Sequence, residues 1–253
     1  MSPSLKRYVN GEHLETWAEL VNLGSEVYQM RYFDDAVAIC REVVDRSLKN
    51  LESLKKTLLD LGYMFEHGEA CLKVHQKNNF DELLEVQSSL GTFPIILQAW
   101  YERIERVDFS QNRTQTRQPN DESPLSVNGL GYGSIIQFNS IKESLRLRAE
   151  LIAERIEDGE EPAELLSFFP TGGFGSNSMP KGVQLPSQEV DGILYNEGFG
   201  DIRFVDELRM IFGAGGFPYW NRNVKKRFPT SPVPAIPNFP ELLPVLTKGF
   251  VTI

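Results

Sequence analysis

The chain has 253 residues, 41% of them hydrophobic, enough to bury one large core or two modest ones. Lys and Arg number 26 against 35 Asp and Glu, a formal net charge of −9. That balance argues against sequence-independent binding of nucleic acid, which relies on phosphate neutralisation, and a basic or neutral partner fits better. No apolar run approaches the roughly 18 residues that span a bilayer, and MSPSLKRYVNGEH carries no apolar signal core, so no membrane is expected and the expected compartment is the cytoplasm.

From about Glu12 to Leu61 the pattern is helical, in two segments separated near Met30 to Phe33, with Asp34 or Asp35 placed to begin the second. In that second segment Ala36, Cys40, Val43, Val44, Ser47, Leu48, Leu51, Leu54 and Leu58 recur at three- and four-residue steps. This lays a core-facing seam and predicts a helical hairpin. Gly62 is a natural stop. The polar stretch EHGEACLKVHQKNN reads as a connector to a third helix from about Asn79 to Leu90.

LGTFPIILQAWYERIERVDF, Leu90 to Phe109, is the most specific stretch. Pro94 suits a first helical turn, because the N–H it lacks would be unpaired there. Ile95, Ile96, Leu97, Trp100 and Ile104 then form an apolar stripe leading into a strand at Val107 to Phe109. A polar, aperiodic loop runs through Ser123, followed by short strands at Pro124 to Val127 and Ser134 to Phe138 and a helix opening at Ser140 and ending at Gly159.

Beyond Gly159 come strand-like pieces at Leu166 to Phe169, Gly182 to Leu185 and Ile193 to Tyr195, then an amphipathic helix from Phe204 to Phe212. Phe228 to Pro244 holds six of the fifteen prolines and predicts an extended strap, and Gly249 to Ile253 a closing strand. The fold class is therefore α+β, with an N-terminal helical hairpin region over residues 1–78. A mixed or antiparallel sheet with helices packed on one side follows over 79–253.

No catalytic constellation stands out. NGLGYGS at 128–134 lacks the Gly-Lys-Ser/Thr ending of a phosphate loop and reads as a hairpin turn. His67, Cys71 and His75 fall at four-residue steps but lack a fourth ligand, so no metal or other cofactor is expected. Cys40 and Cys71 are expected as free thiols. No Gly-x-Ser-x-Gly elbow occurs, and the many carboxylate pairs fit helix ends and solvated faces. NVKKRF at 223–228 reads either as a contact for phosphate or an acidic partner or, better in an acidic chain, as a balance for acidic neighbours.

Two glycine clusters, TGGFGSN at 171–177 and FGAGGFP at 212–218, read either as turns or as adjacent loops shaping a partner-binding surface. In the second reading Phe174, Phe217, Tyr219 and Trp220 are the aromatic anchors, and Glu189, Asp191 and Glu197 the rim charges. Trp100 and Tyr101 are assigned to the core.

LGTFPIILQAWYERIERVDF, RFVDELRMIFGAGGFPYW and LPVLTKGFVTI together resemble the SUKH superfamily. Gly91, Pro94, Trp100 and Tyr101 follow the order typical of it, although Glu105 stands where relatives place a glycine and Ser123 where they often carry Asp. The resemblance implies an α+β module that binds another protein without a catalytic residue. Many members are immunity proteins that neutralise toxins, often basic nucleases, and eukaryotic relatives are regulatory scaffolds of cell-wall assembly. The expected partner is thus a protein, in its most specific form a basic toxin domain. Competing readings are a self-associating structural protein and an enzyme with an unrecognised carboxylate site.

Overall fold

A computed structural model describes residues 2–75, 80–110, 136–157, 167–168, 181–195, 201–217 and 239–253. The protein is α+β, a helical N-terminal region followed by short antiparallel strands and further helices.

Helix α1 (Pro3–Val9) was not foreseen in the sequence. Pro3 opens it, and Ser2 Oγ caps it by accepting the Leu5 amide at 3.2 Å. Arg7 reaches from it to Glu12 and Glu19 at 2.8 and 2.7 Å, tying it to α2 (His13–Asn22). A 3₁₀ turn over Gly24–Tyr28 separates α2 from α3 (Met30–Asp60), so the break lies some residues before the expected one. The first turn of α3 was hidden because Met30 is 93% exposed and the buried seam begins only at Ala36. At 31 residues α3 is about 46 Å long, and its seam through Leu58 is buried as the periodicity predicts.

The supposed connector after Gly62 has structure of its own. A 3₁₀ turn (Gly68–Cys71) leads into β1 (Leu72–Val74), which pairs antiparallel with β2 (Ile104–Asp108) in the register Leu72↔Val107. Its burial pattern of one half-buried and two exposed residues explains why no apolar signal marked it. Strand β3 (Gln137–Phe138) adds to the other side of β2, giving the order β1-β2-β3. Between β1 and β2 come α4 (Phe80–Leu90) and α5 (Ile95–Arg103). Gly91 joins the two helices at φ +87°, where an added Cβ would stand 2.7 Å from Pro186 Cβ. Only glycine fits there.

Helix α6 (Ile141–Glu157) starts where expected, with Ser140 Oγ accepting the Glu143 amide at 3.2 Å. The later strands β4 (Ser167–Phe168), β5 (Gly182–Gln184), β6 (Ile193–Tyr195) and β7 (Ile202–Arg203) form a second antiparallel sheet in chain order. Among the described residues two small sheets thus stand where one was expected. Helix α7 (Phe204–Gly213) follows β7 directly.

The described part of the proline-rich strap is not extended: Phe239–Leu246 is a helix, α8, with Pro240 in its first turn, where a missing N–H costs nothing. Burial of Leu242 and Leu246 outweighs the hydrogen bond that Pro244 removes. The last residues are not a strand either. Asn50 on α3 holds Val251 by both backbone groups, donating to its carbonyl at 2.8 Å and accepting its amide at 2.7 Å.

One hydrophobic cluster takes in residues from Tyr8 to Ile253. At its centre Trp100 packs on Phe138 and Phe204, ring centroids 4.7 and 5.2 Å apart, which joins α5, β3 and α7. Trp100 and Tyr101 are fully buried, as assigned. Among the described residues no helix is long and apolar enough to cross a membrane.

Candidate functional site

The densest buried chemistry surrounds the start of α7. Its apolar face, Phe204, Val205, Leu208, Ile211 and Phe212, faces the core and fixes the helix, while its first turn carries Asp206 and Glu207, the sign that a helix N-terminus favours. Glu207 is fully buried. Its Oε1 accepts from Lys181 Nζ at 2.5 Å, with the lysine side chain 4% exposed. Its Oε2 has no hydrogen-bond partner among the described residues.

Asp191, on the link between β5 and β6, is also fully buried. That link is held by its backbone, since the first-turn amides of α5 at Ile95 and Ile96 donate to the carbonyls of Glu189 and Val190 at 3.1 and 3.0 Å. Asp191 Oδ2 accepts from Trp17 Nε1 at 3.3 Å, while Oδ1 finds no partner among the described residues. Burial pushes this carboxyl up to about 7, against the opposing influence of Arg203, the Trp17 N–H and the Val205 amide. Trp17 lies on α2, so this contact locks the N-terminal helices to the second sheet.

A second polar cluster sits where β2 meets β3. Asp108 Oδ1 accepts from the Ser110 hydroxyl and amide and from Gln137 Nε2 at 2.6, 3.1 and 3.2 Å. Its Oδ2 accepts from Arg106 Nη2 at 2.6 Å. Burial alone would raise this carboxyl; the Ser110 and Gln137 hydrogen bonds and the Arg106 charge outweigh it and hold Asp108 below its ordinary value. His67 Nε2 lies 3.1 Å from Asp108 Oδ2 and 3.3 Å from Arg106 Nη2. It donates to the carboxylate in one tautomer and accepts from the guanidinium in the other.

A groove of about 300 Å³ runs between α3 and α5, lined by Arg41, Val44, Asp45, Ala99, Glu102 and Arg103. Its charges cancel in pairs, Arg41 with Glu102 at 3.0 Å and Arg103 with Asp45 at 3.2 Å. Neither Asp108 nor Asp191 lines it.

The residues expected at a partner surface separate. Phe217 is 0% exposed, because glycines 215 and 216 turn the chain after α7 back into the core. Asp191 is equally buried, so neither forms an exposed anchor or rim. Glu189 is half-buried and paired with Arg203 at 3.3 Å. Phe174, Glu197, Tyr219 and Trp220 lie outside the described residues, as do the 128–134 and 171–177 glycine runs and the 223–228 basic cluster.

His67, Cys71 and His75 do not share a helix face, since a 3₁₀ turn and then a strand carry the chain between them. Among the described residues no group of three or more His, Cys, Asp and Glu is placed to hold a metal, and both cysteines are free. Glu207, which with Asp206 is one of the carboxylate pairs expected at helix ends and solvated faces, is buried instead, and Lys181 was not singled out; what marks both is the absence of solvent, which a pattern cannot carry. No protein-family model, curated protein or solved structure matches the chain.

Proposed function

We propose that the chain is a non-catalytic protein-binding module, in its most specific form an immunity-type protein that neutralises a toxin by direct contact. Regulatory scaffolding is the same chemistry turned to another end. The observation that carries this reading is where the carboxylates lie. Those whose ionisation burial perturbs, Asp108 and Asp191, are 4% and 0% exposed and do not line the groove between α3 and α5, whose own carboxylates are each tied to an arginine. A general acid or base needs reach to a substrate, and these groups lack it.

The net charge of −9 supports a basic partner, drawn in by opposite fields. Exposed Glu15 on α2 and Asp81 and Glu85 on α4 add to that field. The order Gly91, Pro94, Trp100, Tyr101 supports the SUKH-like reading. In the fold Gly91 makes the left-handed turn, Pro94 precedes the first residue of α5, and both aromatics are buried.

The test is capture from lysate with the immobilised chain, identification of the captured protein, and titration of the two purified components at several salt concentrations. A basic partner binding one to one, with affinity falling as salt rises and with Tyr219→Ala/Trp220→Ala, is the expected result. A folded bait that shows no saturable binding to any purified candidate sinks the proposal.

A further inference from the structure

Tyr8, His13, Thr16 and Arg209 bring together four buried polar atoms with no partner among the described residues: Tyr8 Oη, His13 Nδ1, Thr16 Oγ1 and Arg209 Nη2. Their side chains form one neighbourhood. The Tyr8 and His13 rings meet edge to face at 4.8 Å, Thr16 follows His13 by one turn on the buried side of α2, and the Arg46 guanidinium stands 5.5 Å over the Tyr8 ring. Arg209 on α7 closes it, within electrostatic reach of both Tyr8 and His13.

The chemistry of the four atoms is one-sided. Arg46 Nη1 lies 3.2 Å from His13 Nε2, and a guanidinium can only donate, so Nε2 accepts and the neutral ring carries its proton on Nδ1. Burial and the charges of Arg46 and Arg209 lower the histidine's proton affinity, which favours that neutral ring. Nδ1–H and Arg209 Nη2 are then donors only, and the two hydroxyls are free to donate.

Each guanidinium there also meets an acid, Arg46 with Glu42 at 2.6 Å and Arg209 through Nη1 with Asp206 at 3.0 Å. At both Tyr8 and His13 the influence of Arg46 and of Arg209 exceeds that of Glu42, the acid paired with Arg46. The chain end uses part of this capacity, Thr252 O accepting from Arg46 Nη1 at 2.9 Å and Ile253 O from Arg209 Nε at 3.0 Å. The other donors are left over.

We propose that the space between α1, α2 and α7 binds a small oxyanion, a carboxylate or a phosphate group, through Tyr8, His13, Thr16 and Arg209. This inference does not rest on the partner-binding reading. Four donors beside two arginines match an acceptor-only ligand, as buried unpaired donors are rare and costly unless something fills them.

The test is the thermal midpoint of the whole chain titrated with phosphate and, separately, acetate, at ionic strength held constant with sodium chloride. A saturable rise with one of them is expected, and which one rises distinguishes the two sources. Tyr8→Phe and Thr16→Val each remove only an unpartnered hydroxyl, so in anion-free buffer both are as stable as wild type or more so. Each weakens the anion about tenfold or more. No saturable rise in wild type overturns the proposal, because water then satisfies these donors, and so does a rise retained in full by both variants.

Discussion

Replacing Asp191 with asparagine tests whether its burial sets the pH dependence of stability. The carboxyl moves from 3.8 to about 7 on folding, so the folded protein binds that proton more tightly than the unfolded chain. Its contribution is complete below about pH 4 and is lost as the pH rises through 7. The span corresponds to about 4 kcal/mol, already net of the Arg203 attraction that partly offsets burial. Asp191→Asn keeps the shape and an oxygen to accept from Trp17. Urea unfolding at pH 4.5, 6 and 8 is the assay, with each midpoint referred to wild type at the same pH. The variant should exceed wild type by about 1 kcal/mol at pH 4.5, about 3 kcal/mol at pH 6 and about 4 kcal/mol at pH 8. A difference that stays constant with pH, or a variant weaker than wild type at pH 8, refutes the reasoning.

Lys181→Met alone strands the buried Glu207 carboxylate and should cost about 3–5 kcal/mol, whereas the Lys181→Met/Glu207→Leu pair should recover most of it in the same urea assay. Gly216→Ala should destabilise by about 1–3 kcal/mol on chemical denaturation, because φ is +87° and an added Cβ would stand 2.5 Å from Leu54 Cδ2. Asn50→Ala should cost about 1–3 kcal/mol and speed hydrogen exchange at the Val251 amide, which loses its acceptor.

The seam of α3 was legible because a long helix packed on one side repeats its burial every three or four residues, and Ala36 through Leu58 do so. The α5 entry was legible through Pro94, and α6 through its Ser140 cap. Strand β1 was not, since two of its three residues are exposed and its place is decided by pairing with β2, thirty residues on. Helix α8 was masked by proline content, although Pro240 stands where a helix accepts it. The candidate site was the least legible part. Phe217 and Asp191 read as surface residues from their glycine-rich neighbours and acidic type, and tertiary packing put both inside. The buried polar set of Tyr8, His13, Thr16 and Arg209 joins positions up to two hundred apart, and no local pattern registers that.

Those long-range contacts also bear on whether the N-terminal helices unfold by themselves. Trp17 on α2 bonds Asp191, Asn50 and Arg46 on α3 hold Val251 and Thr252, and β1 pairs with β2 across the expected boundary near residue 78. Freeing the first 60 residues would uncover the α3 seam, strip Asp191 of its donor and open the core at Leu54, which sits against the Gly216 turn. Each of those exposures removes favourable burial from both sides at once, so the two regions stabilise each other. Unfolding should therefore be one transition. Trp17 lies in the helical region and Trp100 in the centre of the core, so with the third tryptophan also replaced, fluorescence of Trp17→Phe/Trp220→Phe and Trp100→Phe/Trp220→Phe variants reports the two parts separately, alongside far-ultraviolet circular dichroism. In urea, each fluorescence midpoint should coincide with the circular dichroism midpoint of the same variant. A Trp17 signal lost well before the Trp100 signal would show that the helices detach first, and would make the buried Asp191 contact too weak to couple them.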